Sequence, residues 1–397
     1  MYKFNIRYKI IGIVFPAALI TVAMGVAQQS RLGVVLAEGD QEPVEFVSVY
    51  NEKDHSMTNA DGQFAFVTQL DSIFFYAPGY QKLRTTVGEL RDTVYLKRSI
   101  VNLEEVVVTN AKSILERIRD SLTENYHFLP HVETFFIRAL LRRNDTIVRL
   151  QDMQGNLKRK TLIYTGDLNF EKKDYAVELL QMRQVGINKD ANDVYFIFPS
   201  FYSIFSEFVR INAMGPDFEV VEKPLADTKE IRVDFASGNM DGPSNTSGHY
   251  IINASDNAIL SFTVTHNIKI PKTVLQQPEY HRTVLLKSAT YFKKDRVYDR
   301  YYMNYAKQVS KVCSKRKGQK EPTEFQIEII LHTTNPFADF DVKSNVNEQK
   351  DLFKLKAVYN KDFWESQNQL LLTKEMENFI TTQGTGNTQF KGRTNLK

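Results

Sequence analysis

The sequence predicts a mainly β protein: a small N-terminal β-sandwich, then a larger α+β domain with an antiparallel curved sheet. Three observations predict it. The chain carries 27 Phe and 19 Tyr among 397 residues, and ring side chains suit a pleated, half-buried surface better than a helix. Short runs of alternating apolar and polar residues recur, separated by Gly, Pro, Asn and Asp. Helical periodicity is confined to a few stretches. The length allows two or three domains, and 42% apolar with 25% charged residues is the composition of a folded chain.

The first element is a leader. Lys3, Arg7 and Lys9 precede an apolar run over 10–26, and no acid occurs before Glu38. Val26 lies between the small residues Gly25 and Ala27, which sets up cleavage between Ala27 and Gln28. Residues 1–27 therefore read as an export signal. An uncleaved anchor helix is the alternative, because the run is long for a signal and short for a span. Removing the leader removes three bases and no acid, taking the formal charge from +4 to +1. The basic balance is thus no argument for nucleic acid. The single cysteine, Cys313, cannot form an internal disulfide. It does not lie at the signal boundary, so no lipid anchor is expected there.

Strands follow at 44–50, 64–66, 71–76, 85–87 and 93–96. In the first, Val44, Phe46 and Tyr50 fall on one face, with Val47 and Val49 on the other. The run Thr58-Asn59-Ala60-Asp61-Gly62 is a turn: Asn59 and Asp61 can bond nearby backbone, and Gly62 tolerates positive φ. Pro78-Gly79 stops another strand. This spacing predicts the sandwich over 31–98.

These residues carry a resemblance. Gly33-Val34-Val35, Glu42-Pro43-Val44-Glu45-Phe46-Val47-Ser48-Val49, Thr58-Asn59-Ala60-Asp61-Gly62-Gln63-Phe64 and Tyr76-Ala77-Pro78-Gly79-Tyr80 together resemble the carboxypeptidase regulatory-like domain. That family is a transthyretin-like β-sandwich, common in exported proteins of Gram-negative bacteria. Pro78 departs from its usual small or aliphatic residue, in a loop. The run Leu103-Glu104-Glu105-Val106-Val107-Val108-Thr109 resembles the segment following this domain in outer-membrane nutrient receptors. The resemblance implies a structural or docking module without a carboxypeptidase active site.

Residues 99–130 form a linker strand and helix. Ile114, Leu115, Ile118 and Leu122 share one helical face, and Pro130 follows. The larger domain covers 131–380. A hairpin is predicted around Arg143-Asn144-Asp145, short helices near 175–183 and 201–210, and strands at 218–222, 230–235, 249–253, 259–265, 284–292, 297–306 and 324–332. A C-terminal helix is predicted over 362–380 and a disordered tail over 381–397. Gly248-His249-Tyr250-Ile251-Ile252-Asn253 and Lys361-Asp362-Phe363-Trp364-Glu365 resemble, more weakly, the domain that follows the regulatory-like module in uncharacterised envelope proteins. By fold analogy alone, its sheet is similar to that of periplasmic lipoprotein carriers.

No catalytic constellation is found. None of the seven histidines has a Glu three or four residues on, as a zinc peptidase would need. The spacing of His131 and Glu133 is read as sending their side chains to opposite faces of a strand. There is no Gly-x-Ser-x-Gly turn and no phosphate-binding Gly loop with Lys. Glu104-Glu105 and the pair Asp295 and Asp299 read as solvated charges. Lys307, Lys311, Lys315, Arg316, Lys317 and Lys320 read as a solvated turn, or as a contact for outer-membrane phosphates. The rings of Tyr195, Phe196, Phe198, Phe201, Tyr202, Phe205 and Phe208 read as core. In an open sheet, Phe196, Phe198, Phe201, Tyr202 and Phe205 would instead line an apolar groove for a lipid or peptide.

No cofactor or metal is implied. The expected function is a non-enzymatic binding or scaffolding module in the periplasm or at the outer membrane, with envelope proteins or the membrane surface as partners. The alternatives are a carrier of a lipid or other hydrophobic ligand in the second sheet, a part of an outer-membrane nutrient-uptake system, and a hydrolase with an unrecognised site.

Overall fold

The computed structural model describes residues 29–101, 107–109, 111–162, 175–186, 199–208, 217–226, 228–237, 239–366 and 370–383. Ala27, Gln28, Phe196, Phe198 and the tail beyond residue 383 lie outside the described residues.

The N-terminal unit is two small sheets packed on one core. β1 (Gln29–Ala37) lies between β4 (Gln63–Thr68) and β7 (Thr93–Leu96). β2 (Ser48–Tyr50) lies between β3 (His55–Met57) and β5 (Ser72–Tyr76), and β6 (Leu83–Thr86) pairs with β5. Val35, Val47, Val49, Phe64, Phe66, Ile73 and Phe75 are fully buried between the sheets. The predicted turn forms: the Asn59 side-chain oxygen accepts from the N–H groups of Asp61 and Gln63, and Gly62 has φ +73. A Cβ at Gly62 would lie 2.5 Å from the Val35 carbonyl oxygen. The strand predicted over 44–50 is shorter. Phe46 takes φ +64, leaving Ser48–Tyr50 as strand and turning the Phe46 ring out of the sandwich core.

The second domain is built on one open sheet of eleven strands. In chain order they are β8 (Val107–Thr109), β9 (His131–Arg143), β10 (Thr146–Arg159), β11 (Tyr175–Val185), β12 (Phe218–Pro224), β13 (Glu230–Ser237), β14 (Ser244–Asn253), β15 (Ile259–Ile268), β16 (Tyr280–Lys294), β17 (Tyr301–Lys315) and β18 (Thr323–Asn335). The spatial order is β11-β10-β9-β18-β17-β16-β15-β14-β13-β12-β8, and all its pairings are antiparallel. The predicted curved antiparallel sheet is thus present. Val107–Thr109, the end of the run that begins at Leu103, form its edge strand, and residues 103–106 lie outside the described residues. At the β9–β10 hairpin, Asn144 and Asp145 have φ +47 and +64, as a type I′ turn requires.

One face of this sheet, here the inner face, packs against α1 (Ala111–Asn125) and α2 (Phe201–Phe208). The outer face carries the N-terminal sandwich, α4 (Lys361–Ser366) and α5 (Lys374–Gln383). A single turn, α3 (Lys272–Leu275), lies between β15 and β16.

Four expectations change. Residues 175–183 form a strand, not a helix. The register slip opposite Gln154 and Gly155 leaves Leu180 as an extra residue. Burial then falls on Tyr175, Val177, Leu179, Met182 and Val185, a spacing that imitates helical periodicity. The helix expected over 362–380 is two helices, because Leu370 is a bend and the residues from Leu371 to Thr373 have no regular structure. The strand expected from Val297 begins at Tyr301. Asp295 Oδ1 accepts from the N–H groups of Val297 and Tyr298, which makes a turn and leaves Val297 86% exposed. Finally, Lys307, Lys311 and Lys315 belong to β17 rather than to a turn.

Candidate binding site at the joint between the domains

The sandwich docks through residues of its turn over 58–62. The Asn59 amide donates to the Leu372 carbonyl at 2.9 Å, and Asp61 Oδ2 accepts from the Lys374 N–H at 2.8 Å. The turn therefore meets the start of α5. Nearby, the Tyr76 hydroxyl and the Gly79 N–H donate to Glu230 at 2.7 and 3.0 Å. Lys307 reaches Glu45 at 2.8 Å and Glu328 at 3.5 Å. Burial alone would pull Lys307 down; Glu328 and Glu45 outweigh it and hold the ammonium above its usual range.

Between these contacts lies an aromatic layer. Phe46, Met57, Phe136, Tyr305, Ile330, Trp364 and Leu370 form a small core of their own. Phe46 stacks on Tyr305 with centroids 3.6 Å apart, and Tyr291 lies 5.4 Å from Tyr305. Alternation explains the placement. Tyr291 and Tyr305 are directly opposite across β16–β17, and Tyr305 is opposite His332 across β17–β18, so all three share the outer face.

Beside this layer is a cavity of about 260 Å³ with walls from both domains. Phe46, Ser48, Tyr50, Tyr76 and Pro78 come from the sandwich; Leu260, the run from Tyr291 to Lys294, Arg296, Tyr301, Asn304 and Tyr305 come from the sheet domain. Lys293 Nζ lies 4.9 Å from the Tyr50 ring centre. Burial, with Arg296 adding, pushes the Lys293 ammonium down to about 8. Behind it, His332 is buried with neither ring nitrogen hydrogen-bonded, 5.6 Å from the His55 ring. Burial and then Lys293 push His332 down to about 3 and His55 well below its usual range. The buried Tyr305 hydroxyl also has no partner. Buried polar atoms without partners are rare and often mark a missing water or ligand.

A second cleft, about 620 Å³, runs between β1 and the irregular segment Leu370, Leu371 and Leu372. Below these residues Asp152 is held by Arg138 at 2.8 Å and by Arg183 at 2.6 Å, all three buried or nearly so. Burial raises the Asp152 carboxyl, but the two guanidinium groups outweigh it and hold it below its usual value. Arg138 also donates to the carbonyls of Leu371 and Leu370, at 2.7 and 3.2 Å.

Of the groove residues named from sequence, Phe201 and Phe205 are fully buried and Tyr202 is half-buried. They do come together: Phe201 and Phe205 stack at 5.8 Å and both pack on Phe135 from the inner face. Among the described residues they sit in closed core. His131 and Glu133 were expected on opposite faces. They share one, 3.7 Å apart, because residues two apart in a strand point the same way. Glu133 is also bonded by Arg159, so the pair is part of a buried ion cluster. Among the described residues no three His, Cys, Asp or Glu converge to hold a metal, and no helix is long and apolar enough to cross a membrane.

The joint residues were missed from sequence. Their signal was present: the start of β17 reads Tyr301-Tyr302-Met303-Asn304-Tyr305, apolar on both faces. A strand of this kind must be covered on both sides.

No family model and no curated protein matches the chain. Among solved structures, the chain is similar to a LolA superfamily protein of Nitrosomonas europaea, with 10% identity and a TM-score of 0.21, over 59% of this chain and 96% of that one. A candidate pore-forming toxin of Bacteroides vulgatus follows, with 8% identity and a TM-score of 0.10, over 80% of this chain and 95% of that one. At such TM-scores neither neighbour decides fold or function here.

Proposed function

We propose that this is an exported, non-enzymatic envelope protein. In this reading a carboxypeptidase regulatory-like module is docked on a curved-sheet domain, and the two together form one ligand-binding unit. The observation that carries the reading is the cavity at the joint, where both domains supply walls and Lys293 faces in without an ion pair among the described residues. Sites between domains are a common place for ligands. The docking role is supported by Asn59 and Asp61, whose polar groups bond the segment leading into α5. Export rests on the leader over residues 1–27.

An apolar ligand on the inner face of the large sheet is the second reading. What weighs against it is the core already there: Phe135, Ile137, Ala139, Ile327, Ile329 and Leu331 pack against α1 and α2. Such a ligand would have to displace α2.

Native mass spectrometry of the chain recovered from envelope fractions tests the proposal. A small ligand retained at low collision energy, on a polypeptide that starts at Gln28, is the expected result. A ligand-free mass from every preparation would count against a binding unit, and recovery from the cytosol with residues 1–27 intact against export.

A further inference from the structure

The joint carries an excess of positive charge. Lys293, Lys294 and Arg296 line its cavity and no carboxylate does. The acids nearby are engaged elsewhere. Asp299 pairs with Lys294 at 3.0 Å, and Glu45 pairs with Lys307 at 2.8 Å. Asp295 accepts two backbone N–H groups of its own turn, at 2.9 and 2.8 Å, and attracts Lys293 without forming an ion pair with it. Glu230 accepts from Tyr76 and Gly79. Among the described residues Lys293 and Arg296 are left with no hydrogen bond or ion pair. Lys293 instead stands 4.9 Å from the Tyr50 ring centre, and Lys82 stands 5.5 Å from the same ring. Two ammonium groups at one ring repel each other, and a half-buried ammonium without a counter-ion bears a desolvation cost that an anion would relieve.

The rest of the wall is mostly aromatic, with Ser48 and Asn304 as its neutral polar side chains besides the tyrosines. Rings of this kind favour stacked or edge contact with another ring. The volume, about 260 Å³, lies below the range of drug-sized pockets, roughly 300–1,000 Å³, so one ring or two fused rings would fill it.

We propose that this cavity takes a small planar organic acid, an aromatic carboxylate, with Lys293 and Arg296 on the anion and the rings of Phe46, Tyr50 and Tyr291 against its apolar body. The proposal rests on the binding reading of the same cavity. It assigns the ligand class and the residues that select it.

Calorimetric titration of the full chain with naphthoate, naphthylmethanol and naphthylmethylamine tests it. These probes share a body and differ in charge. Naphthoate is expected to bind at least about tenfold more tightly than the alcohol, the scale of a hydrogen bond to a charged group, and the amine weakest. Lys293→Met should remove that advantage while leaving the alcohol's affinity in place. Arg296→Gln, at the exposed mouth, should reduce it in the same direction and guards against a Lys293→Met chain that folds poorly. An alcohol that binds as well as the acid, or an acid affinity unchanged in both variants, would overturn the assignment of an anion. Failure of all three probes to bind would overturn the cavity as a ligand site.

Discussion

The two faces of the large sheet are both covered, but by different chemistry. The inner face is closed mainly by apolar packing: Phe135, Ile137, Met153, Ile329 and Leu331 meet α1 and α2 with almost no exposure, and its buried charges are gathered in one cluster, His131, Glu133 and Arg159, at one end of β9 and β10. The outer face is closed by a mixture. Aromatic rings alternate there with buried charges and with polar atoms that lack partners. A face covered by helices of the same domain can be mainly apolar, because its cover forms with it. A face covered by another domain must also fix orientation, and directional polar contacts do that. The candidate site is found on the outer face because the sandwich and the sheet meet there without filling the space between them.

The sharpest way to break this contrast is through Asp152. Asp152→Asn should leave Arg138 and Arg183 buried without a counter-charge, at a cost of about 3–5 kcal/mol, read as a lowered urea midpoint. Replacing Arg138, Asp152 and Arg183 together by apolar residues of similar size should recover most of that stability. It should still loosen the segment at Leu370 and Leu371, because the carbonyls that Arg138 bonds lose their donor. Hydrogen exchange of α5 would report the loosening separately from global stability.

A matched pair of ring deletions compares the faces directly. Phe135→Ala on the inner face and Phe46→Ala at the joint should each cost about 3–5 kcal/mol if both rings are equally packed. Only Phe46→Ala should alter naphthoate binding, since Phe135 is not among the cavity's lining residues. Equal loss of binding in both variants would mean that the faces are not separable.

Much of the inner face was legible in the sequence and little of the outer face was. Alternation in β9, β13 and β18 marked the strands, and Asn144, Asp145, Asn59 and Gly62 marked turns by residue chemistry. The strand at Tyr175 was obscured by one bulged residue, Leu180. The joint was obscured for a different reason. Sequence alternation says that a face is covered, not by what, so nothing in the strands predicted over 284–292, 297–306 and 324–332 set Tyr291, Tyr305 and His332 apart until the pairing placed them in one row. Lys307 looked like part of a solvated cluster because charge runs usually are. Its partners, Glu45 and Glu328, lie far away in the chain.

His332 gives a pH test of the outer face alone. Its folded value, about 3, lies below the ordinary histidine value of 6.5. The unfolded chain therefore binds a proton that the folded chain refuses, in the interval between those two values. Stability should be full above pH 6.5 and should decline as pH falls toward 3. His332→Met should flatten that decline by up to one proton's worth of slope. His55 and His249, also pushed down by burial, account for part of what remains.

The smallest expected effect falls on the motif that carried the resemblance. Asp61 accepts from the Lys374 N–H at 2.8 Å, which supplies the first turn of α5 with an acceptor from the other domain. An unpaired N–H at a helix start costs about 1 kcal/mol. Asp61→Ala should therefore destabilise the joint by about that amount. The turn itself should survive, since Asn59 and Gly62 still shape it. Faster exchange confined to the amides of α5, with the strands of the sandwich unchanged, is the expected pattern. If the sandwich opened as well, Asp61 would be holding its own domain rather than its neighbour. The polar residues of the turn would then be a property of the module and not of the joint.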